Sequence, residues 1–294
     1  MRFIVFCFCL LTFQLSKKIV QRFDGDSLQV IFFDVGQGDA ALVRFPGGKV
    51  WILDGGGGYL EWDLGKRELF LELARLGILE IDVAVLSHPD EDHAMGFRGL
   101  FEQVSIRQWW FHEAIFRKPF LKPVVRELAL RARERSIATR AITEPVKGTE
   151  GRASWRVIPI HSDSPSSNDQ ALVAEINFAH CDFIFTGDIE AHGESFLQQE
   201  IHGEKEFLKV AHHGSRTSSN PELLQKLKPR VALVSAGPGN PYGHPHPAIM
   251  ERLIRVGART LRTDFHGFVR IDVNQHGDFE CRSYKGDCGR GRCY

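Results

Sequence analysis

Short apolar runs separated by glycine turns occupy the first third of the chain and predict strands over 28–34, 40–45 and 49–54. The separators Gly36-Gln37-Gly38 and Pro46-Gly47-Gly48 make these an antiparallel meander. Leu69, Leu73 and Leu76 recur at helical spacing and predict a helix over 66–77. The apolar run Ile81–Leu86 then predicts a strand that delivers Ser87-His88, with a helix over 94–102 behind it. Further strands are expected at 155–160, 171–178, 181–186, 207–211, 231–235, 259–263 and 267–273, and helices at 189–200, 220–227 and 247–256. Many strands with few, scattered helices predict an α/β fold of two packed sheets flanked by helices. One catalytic domain over 24–275 accounts for the pattern, and no internal repeat interrupts it.

Composition adds bounds rather than direction. A chain of 294 residues that is 43% hydrophobic can bury one large core. Basic and acidic residues total 37 each, so net charge neither advertises nor excludes a polyanionic partner. Residues 1–15 join one arginine to a mostly apolar run, and segment 1–23 reads as an export signal or membrane anchor. It is shorter than a span of ~20 residues and lacks a small-x-small cleavage site, so an uncleaved anchor and a remnant of a longer membrane segment both stay open. A misassigned start would instead leave the protein cytoplasmic. Cysteines at 7, 9, 181, 281, 288 and 293 never form a C-x2-C pair, which argues against a zinc ribbon. Three of them lie in a Gly/Arg-rich stretch, 276–294, read as a tail in which a disulfide would suit an exported protein.

Segment 105–140 has its own character, with nine lysines and arginines against three glutamates and with Trp109, Trp110, Phe111, Phe116 and Phe120 interleaved. Positive charge plus aromatic faces is what a single-stranded nucleic-acid track requires, and Arg126, Arg131 and Arg133 would line it. The competing reading is a core strand followed by an arginine-rich helix that faces water.

Candidate chemistry concentrates at predicted strand ends. His88-Pro89-Asp90-Glu91-Asp92-His93 crowds four ligand-type side chains into six positions. Residues 88, 90 and 92 leave an extended segment on one side, and His93 can turn to a second ion. Thr186-Gly187-Asp188 ends another apolar run in one carboxylate suited to bridge two cations, and Ala211-His212-His213 ends a third in two imidazoles, either of which could complete the second ion's shell beside Asp92 and His93. Asp34, Gln37, Asp39 and Asp54 lie in or beside glycine turns and read as groups that hydrogen-bond the ligand loops. His161, His192 and His202 have no partner motif and read as surface or satisfied residues.

These motifs, with Asp34–Ala40, Asp54-Gly55-Gly56, Ser167-Asn168-Asp169, Asn240-Pro241-Tyr242-Gly243-His244-Pro245 and Arg262-Thr263-Asp264, resemble the metallo-β-lactamase superfamily. Within it they are similar to the soluble hydrolase domain of ComEC-type competence proteins, which import DNA. The resemblance implies a four-layer αβ/βα sandwich, two divalent metal ions at its edge and hydrolysis of phosphodiesters in DNA, with no nucleotide cofactor. It departs from the superfamily's usual H-x-H-x-D-H at Asp90, and Ser167-Asn168-Asp169 stands in the region of a further histidine. Oxygen in place of imidazole favours Mn²⁺ as well as Zn²⁺ and argues against a β-lactamase. The expected ligands are His88, Asp90, Asp92, His93, Asp188, His212 and His213. Asp92 would also orient the nucleophile, His244 would contact phosphate or protonate the leaving oxygen, and Asn168 and Tyr242 would bind substrate. The partner is expected to be single-stranded DNA, with a separate membrane channel protein for any uptake. A phosphorylcholine esterase-like hydrolase of small phosphoesters and a catalytically silent DNA-binding scaffold are the alternatives.

Overall fold

The computed structural model describes residues 25–59, 62–63 and 65–293, so the segment read as an export signal lies outside the described residues. The chain opens with the expected meander, β1 (Leu28–Phe32), β2 (Ala41–Arg44) and β3 (Val50–Leu53), followed by a small hairpin, β4 (Gly58–Tyr59) and β5 (Trp62–Asp63). Next come β6 (Glu80–Leu86), β7 (Ser105–His112), β8 (Ala138–Ile142), β9 (Val146–Glu150) and β10 (Ala153–Pro159). The second half supplies β11 (Leu172–Phe178), β12 (Cys181–Phe185), β13 (Phe207–Lys209), β14 (Val231–Val234), β15 (Arg259–Arg262) and β16 (Val269–Val273), then β17 (Asp278–Ser283) and β18 (Gly286–Arg292). One sheet runs β18-β17-β16-β1-β2-β3-β6-β7-β8 and the other β15-β14-β13-β12-β11-β10-β9.

Period-two side-chain alternation explains how both faces of each sheet are buried. Val30, Phe32, Val43 and Trp51 point between the sheets to meet Ile176, Phe183, Phe207 and Leu233. Their neighbours Ile31, Leu42 and Ile52 point outward under Leu73 and the helices Phe97–Gln103 and Pro123–Glu134. Val173, Ile184 and Leu208 do the same beneath helices Ala191–Glu200, Pro221–Leu227 and Pro247–Arg255. Helix, sheet, sheet and helix therefore stack as four layers, the αβ/βα sandwich expected from the sequence.

Two sequence expectations change. Residues 276–294 are not a tail: β17 and β18 extend the larger sheet, and Cys281, Cys288 and Cys293 enter the intersheet core. Disulfides Cys281–Cys288 and Cys181–Cys293 fasten these strands, the second tying them to β12 of the other sheet. Glycines 286, 289 and 291 weakened the strand signal in β18, which is held by pairing and disulfides rather than by its own propensity. The aromatics of segment 105–140 are also not a stacking surface. Trp109, Trp110 and Phe111 are buried because β7 is an interior strand, which leaves Phe116 and the half-buried Phe120 outside.

Buried Glu194 braces the segment that follows the His212-His213 turn, accepting from the backbone N–H groups of Ser219 and Asn220. Burial pushes its pKa up to about 7 against the hydrogen bonds that pull it down. A carboxyl whose pKa rises on folding stabilises fully below the unfolded value of 4.5, and that contribution fades as pH climbs through 7. Stability relative to Glu194→Gln should therefore shrink by about 3 kcal/mol between pH 4.5 and 8, measured by urea unfolding. A pH-independent gap would rule this out.

Candidate metal centre

Parallel strand pairs bring distant turns to one edge of the sandwich. Because β3 and β6 run parallel, Asp54 and Ser87-His88 emerge side by side, and because β12 and β13 run parallel, Asp188 and the turn Ala211–Gly214 emerge opposite them. The Leu172 N–H donates to the Ser87 carbonyl at 2.8 Å and joins the two sheets there.

Three imidazoles converge on one carboxylate oxygen. Asp188 Oδ2 lies 3.1 Å from His213 Nε2, 3.2 Å from His93 Nε2 and 4.0 Å from His88 Nε2, and Asp92 Oδ2 lies 3.2 Å from His213 Nε2. Ligand atoms of Asp92, His93, Asp188 and His213 all fall within 4.8 Å of one another. Each ring is aimed by its other nitrogen. His93 Nδ1 donates to Asp54 Oδ2 at 2.8 Å and His213 Nδ1 to the Ser235 carbonyl at 2.9 Å. Ser87 Oγ, which donates to Asp54 Oδ2 at 2.7 Å, accepts from His88 Nδ1 at 3.0 Å. Orientation of imidazoles from behind, leaving Nε2 inward, is how proteins present them to metals.

The fit to a divalent metal rests on two buried atoms. His88 Nε2 and His93 Nε2 have no hydrogen-bond partner, a costly state for a polar atom that a cation on the lone pair would relieve. Burial opposes charge on His93, but Asp188, Asp54, Asp39 and Asp92 outweigh it and hold the imidazolium well above its usual range. His213 is likewise pushed up to about 10, burial being overcome by Asp188 and Asp39. For His88, burial and the neighbouring His93 prevail and lower its pKa. Burial works against the charge of Asp188 and Asp92 too, yet the histidines keep both carboxyls below their ordinary value.

Lys209 was not anticipated from the sequence. Its buried Nζ donates to the Gly187 carbonyl at 3.0 Å, contacts the Asp39 carboxylate and lies 3.4 Å from Asp188 Oδ1. The available signal was a lone lysine within the apolar run Phe207-Leu208-Lys209-Val210. Asp39 also lies 3.5 Å from His213 Nδ1 and 3.7 Å from His93 Nδ1.

Other residues singled out from the sequence lie around this cluster. Asp90 lines the cleft outside it, accepting from Ser167 Oγ at 2.8 Å and facing Lys122 Nζ at 3.4 Å. His212 and His213 both have positive φ, a tight turn that sends the rings apart. His213 faces the cluster, whereas His212 Nδ1 sits 3.3 Å from Glu190 Oε1. His244 and Tyr242 line the same cleft with Gln37, whose side-chain carbonyl accepts from Gly237 N at 3.3 Å. Burial and the nearby His213 and His212 push His244 down to about 4. Asn168 is buried in the turn Ser167–Asp169 and is not part of the cleft lining. Asp34 is exposed and accepts a long 3.4 Å bond from Gly36 N. Arg126 and Arg133 are exposed on their helix, while Arg131 is tied to Glu102 and Glu127.

Gly38 shows how tightly the ligand loop is packed. A Cβ there would stand 2.2 Å from the Asp92 carbonyl oxygen, and φ is +132°. Gly38→Ala must displace the backbone that carries Asp92 and His93. Loss of about 2–4 kcal/mol of stability and at least tenfold weaker metal binding are expected from thermal unfolding and metal titration. Unchanged metal affinity would show that the loop tolerates the displacement.

Residues 33–237 match the metallo-beta-lactamase superfamily, and the chain belongs to it. It is similar to ComE operon protein 3 of Bacillus subtilis, with 30% identity over 82% of this chain and 32% of the relative. It is also similar to Recombination protein 2 of Haemophilus influenzae, with 29% identity over 92% of this chain and 31% of the relative. The chain thus spans about a third of the length of these relatives. Solved structures with the same fold include the metallo-beta-lactamase fold protein YhfI of Bacillus subtilis, at TM-score 0.53 and 12% identity over 80% of this chain and 96% of that one. CmlA, a diiron beta-hydroxylase from Streptomyces venezuelae, has TM-score 0.54 and 15% identity over 85% of this chain and 54% of that one.

Proposed function

We propose that this metallo-hydrolase domain is a phosphodiesterase that cleaves DNA, with a single strand as its preferred substrate. The observation that supports the reading is the convergence of three imidazole Nε2 atoms and two carboxylates at the inner end of a cleft of about 550 Å³ that Asp92, Asp188 and His213 line, together with the similarity to ComE operon protein 3. His88, Asp92, His93, Asp188 and His213 would hold two divalent cations, zinc or manganese, which when bound supply Lewis-acid activation of water and neutralise phosphate charge. Asp92, at the open side of the cluster, orients the attacking water, and His244 hydrogen-bonds a phosphate oxygen. The exposed Arg126 and Arg133 would guide the strand. Export fits the two disulfides, which persist in oxidising compartments. Among the described residues no helix is long and apolar enough to cross a membrane.

One observation favours a second reading. The cleft lining carries Asp90, Glu91, Asp92 and Asp188, and among the described residues no lysine or arginine lines it. With Tyr242 at the rim, such a wall suits the quaternary ammonium of a phosphorylcholine ester. Metal-stripped protein resupplied with Mn²⁺ or Zn²⁺ distinguishes the readings when offered labelled single-stranded DNA, bis(p-nitrophenyl) phosphate and a phosphorylcholine ester. Metal-restored DNA cleavage supports the nuclease. Turnover of the small esters alone overturns it in favour of the second reading, and metal binding with no turnover leaves a DNA-binding scaffold.

A further inference from the structure

Tyr242 stands at the rim of the metal cleft with 68% of its surface exposed, and its hydroxyl makes no hydrogen bond among the described residues. Apolar surface of this kind gains free energy only when something covers it. The loop that carries it is rigidly braced. Asn240 Nδ2 donates to the carbonyls of Gly237 at 2.9 Å and His244 at 2.7 Å, Asn240 Oδ1 accepts from His244 N at 3.0 Å, and His246 N donates to the Gly214 carbonyl at 2.8 Å. The ring is therefore displayed by a fixed turn that is anchored to the same Ala211–Gly214 segment as His213.

Three rings form a column from solvent to the cluster. Tyr242 lies over His244 with centroids 5.7 Å apart and planes 26° apart, and His244 lies over His213 at 6.3 Å and 28°. The inner end of the column is the imidazole whose Nε2 touches Asp188 and Asp92. Its outer end is the bare face of a phenol ring. Other exposed aromatics differ: Phe265 is already covered by the guanidinium of Arg262, and Tyr284 lines a separate groove on another part of the surface.

We infer that Tyr242 is the stacking platform for an unpaired nucleobase of a strand whose phosphate lies at the cluster. The inference rests on the phosphodiesterase reading and sharpens it. With no lysine or arginine in the cleft lining, a base face at the rim supplies holding power there, and it stacks without regard to sequence. Tyr242 is thereby a specificity residue for single strands over duplex, whose paired bases have no free face.

Fluorescence anisotropy tests it with the full chain and Ca²⁺ supplied in place of a catalytic metal. The probes are a labelled oligo-dT 12-mer and an abasic strand of equal length, each with wild type, Tyr242→Ala and Tyr242→Phe. Tyr242→Ala should weaken oligo-dT binding about tenfold, the loss of one base–aromatic stack, leave the abasic strand unchanged, and Tyr242→Phe should match wild type. If Tyr242→Ala weakens both strands equally, or neither, the stacking platform is overturned while the phosphodiesterase reading stands. If wild type binds neither strand and turns over a phosphorylcholine ester, both fall together.

Discussion

Asp188→Asn is expected to abolish metal-dependent hydrolysis, lowering turnover by at least about a thousandfold, which corresponds to about 4 kcal/mol of barrier. The reason lies in its position. Asp188 Oδ2 lies 4.0, 3.2 and 3.1 Å from the inward nitrogens of His88, His93 and His213, so it would hold divalent metal together with those rings. An amide keeps the shape and one acceptor oxygen but removes the charge that balances the cations and turns a pair of acceptors into one acceptor and one donor. The donor would point either at the protonated rings of His93 and His213 or at the Lys209 ammonium, and both arrangements are repulsive. Elemental analysis after dialysis against Mn²⁺ or Zn²⁺ should show fewer bound ions per chain, and circular dichroism should show the fold retained. Full metal occupancy with lost activity would instead make Asp188 an electrostatic residue. Full activity would remove it from the centre.

The second large effect concerns stability before metal binds. Lys209→Met should destabilise the metal-free protein by about 3–5 kcal/mol, because Asp39 and Asp188 lose the buried cation between them. Burial opposes charge on Lys209, but the carboxylates prevail and raise its pKa, so the ammonium persists at neutral pH. Divalent metal should recover much of the loss, since a cation at the cluster supplies the missing positive charge and binds only the folded state. The measurement is the shift in melting temperature on adding Mn²⁺, which should be larger in Lys209→Met than in wild type. Equal shifts, or a metal-free variant as stable as wild type, would show that the lysine is not the counter-charge of the cluster.

Lys209 also marks where sequence reading stops. Alternation and turn signals were enough to place β1 to β3, β6 and β10 to β16, because most of those strands are apolar runs with glycine punctuation and β16 alternates. β8, with the sequence Ala138-Thr139-Arg140-Ala141-Ile142, and β9, with Val146-Lys147-Gly148-Thr149-Glu150, were not visible. They are the edge strands of their sheets, β8 mostly exposed and β9 without a buried residue, and only pairing with β7 and β10 makes them strands. The aromatic run in β7 was legible as apolar but ambiguous in role. Whether Trp109 and Trp110 face a core or a ligand depends on which elements cover the two faces of the sheet, and local sequence does not encode that.

Within the site, the sequence by itself determined which turns carry chemistry: the His88–His93 run, Asp188 and the His212-His213 pair each stand where an apolar run stops. Residue type and short spacing suffice for that, since donors packed into one loop after a strand share an edge of the sheet. Only the tertiary structure decided that His213 rather than His212 faces Asp188, that Asp90 turns to Ser167 and Lys122, and that Lys209 supplies a cation from within the core. These outcomes depend on contacts between side chains far apart in the chain, such as the 121 positions that separate Asp92 from His213. The same holds for the disulfide between Cys181 and Cys293, 112 positions apart. Parallel pairing of β3 with β6 and of β12 with β13 sets those distances, and pairing across the sheets is a property of the packed whole.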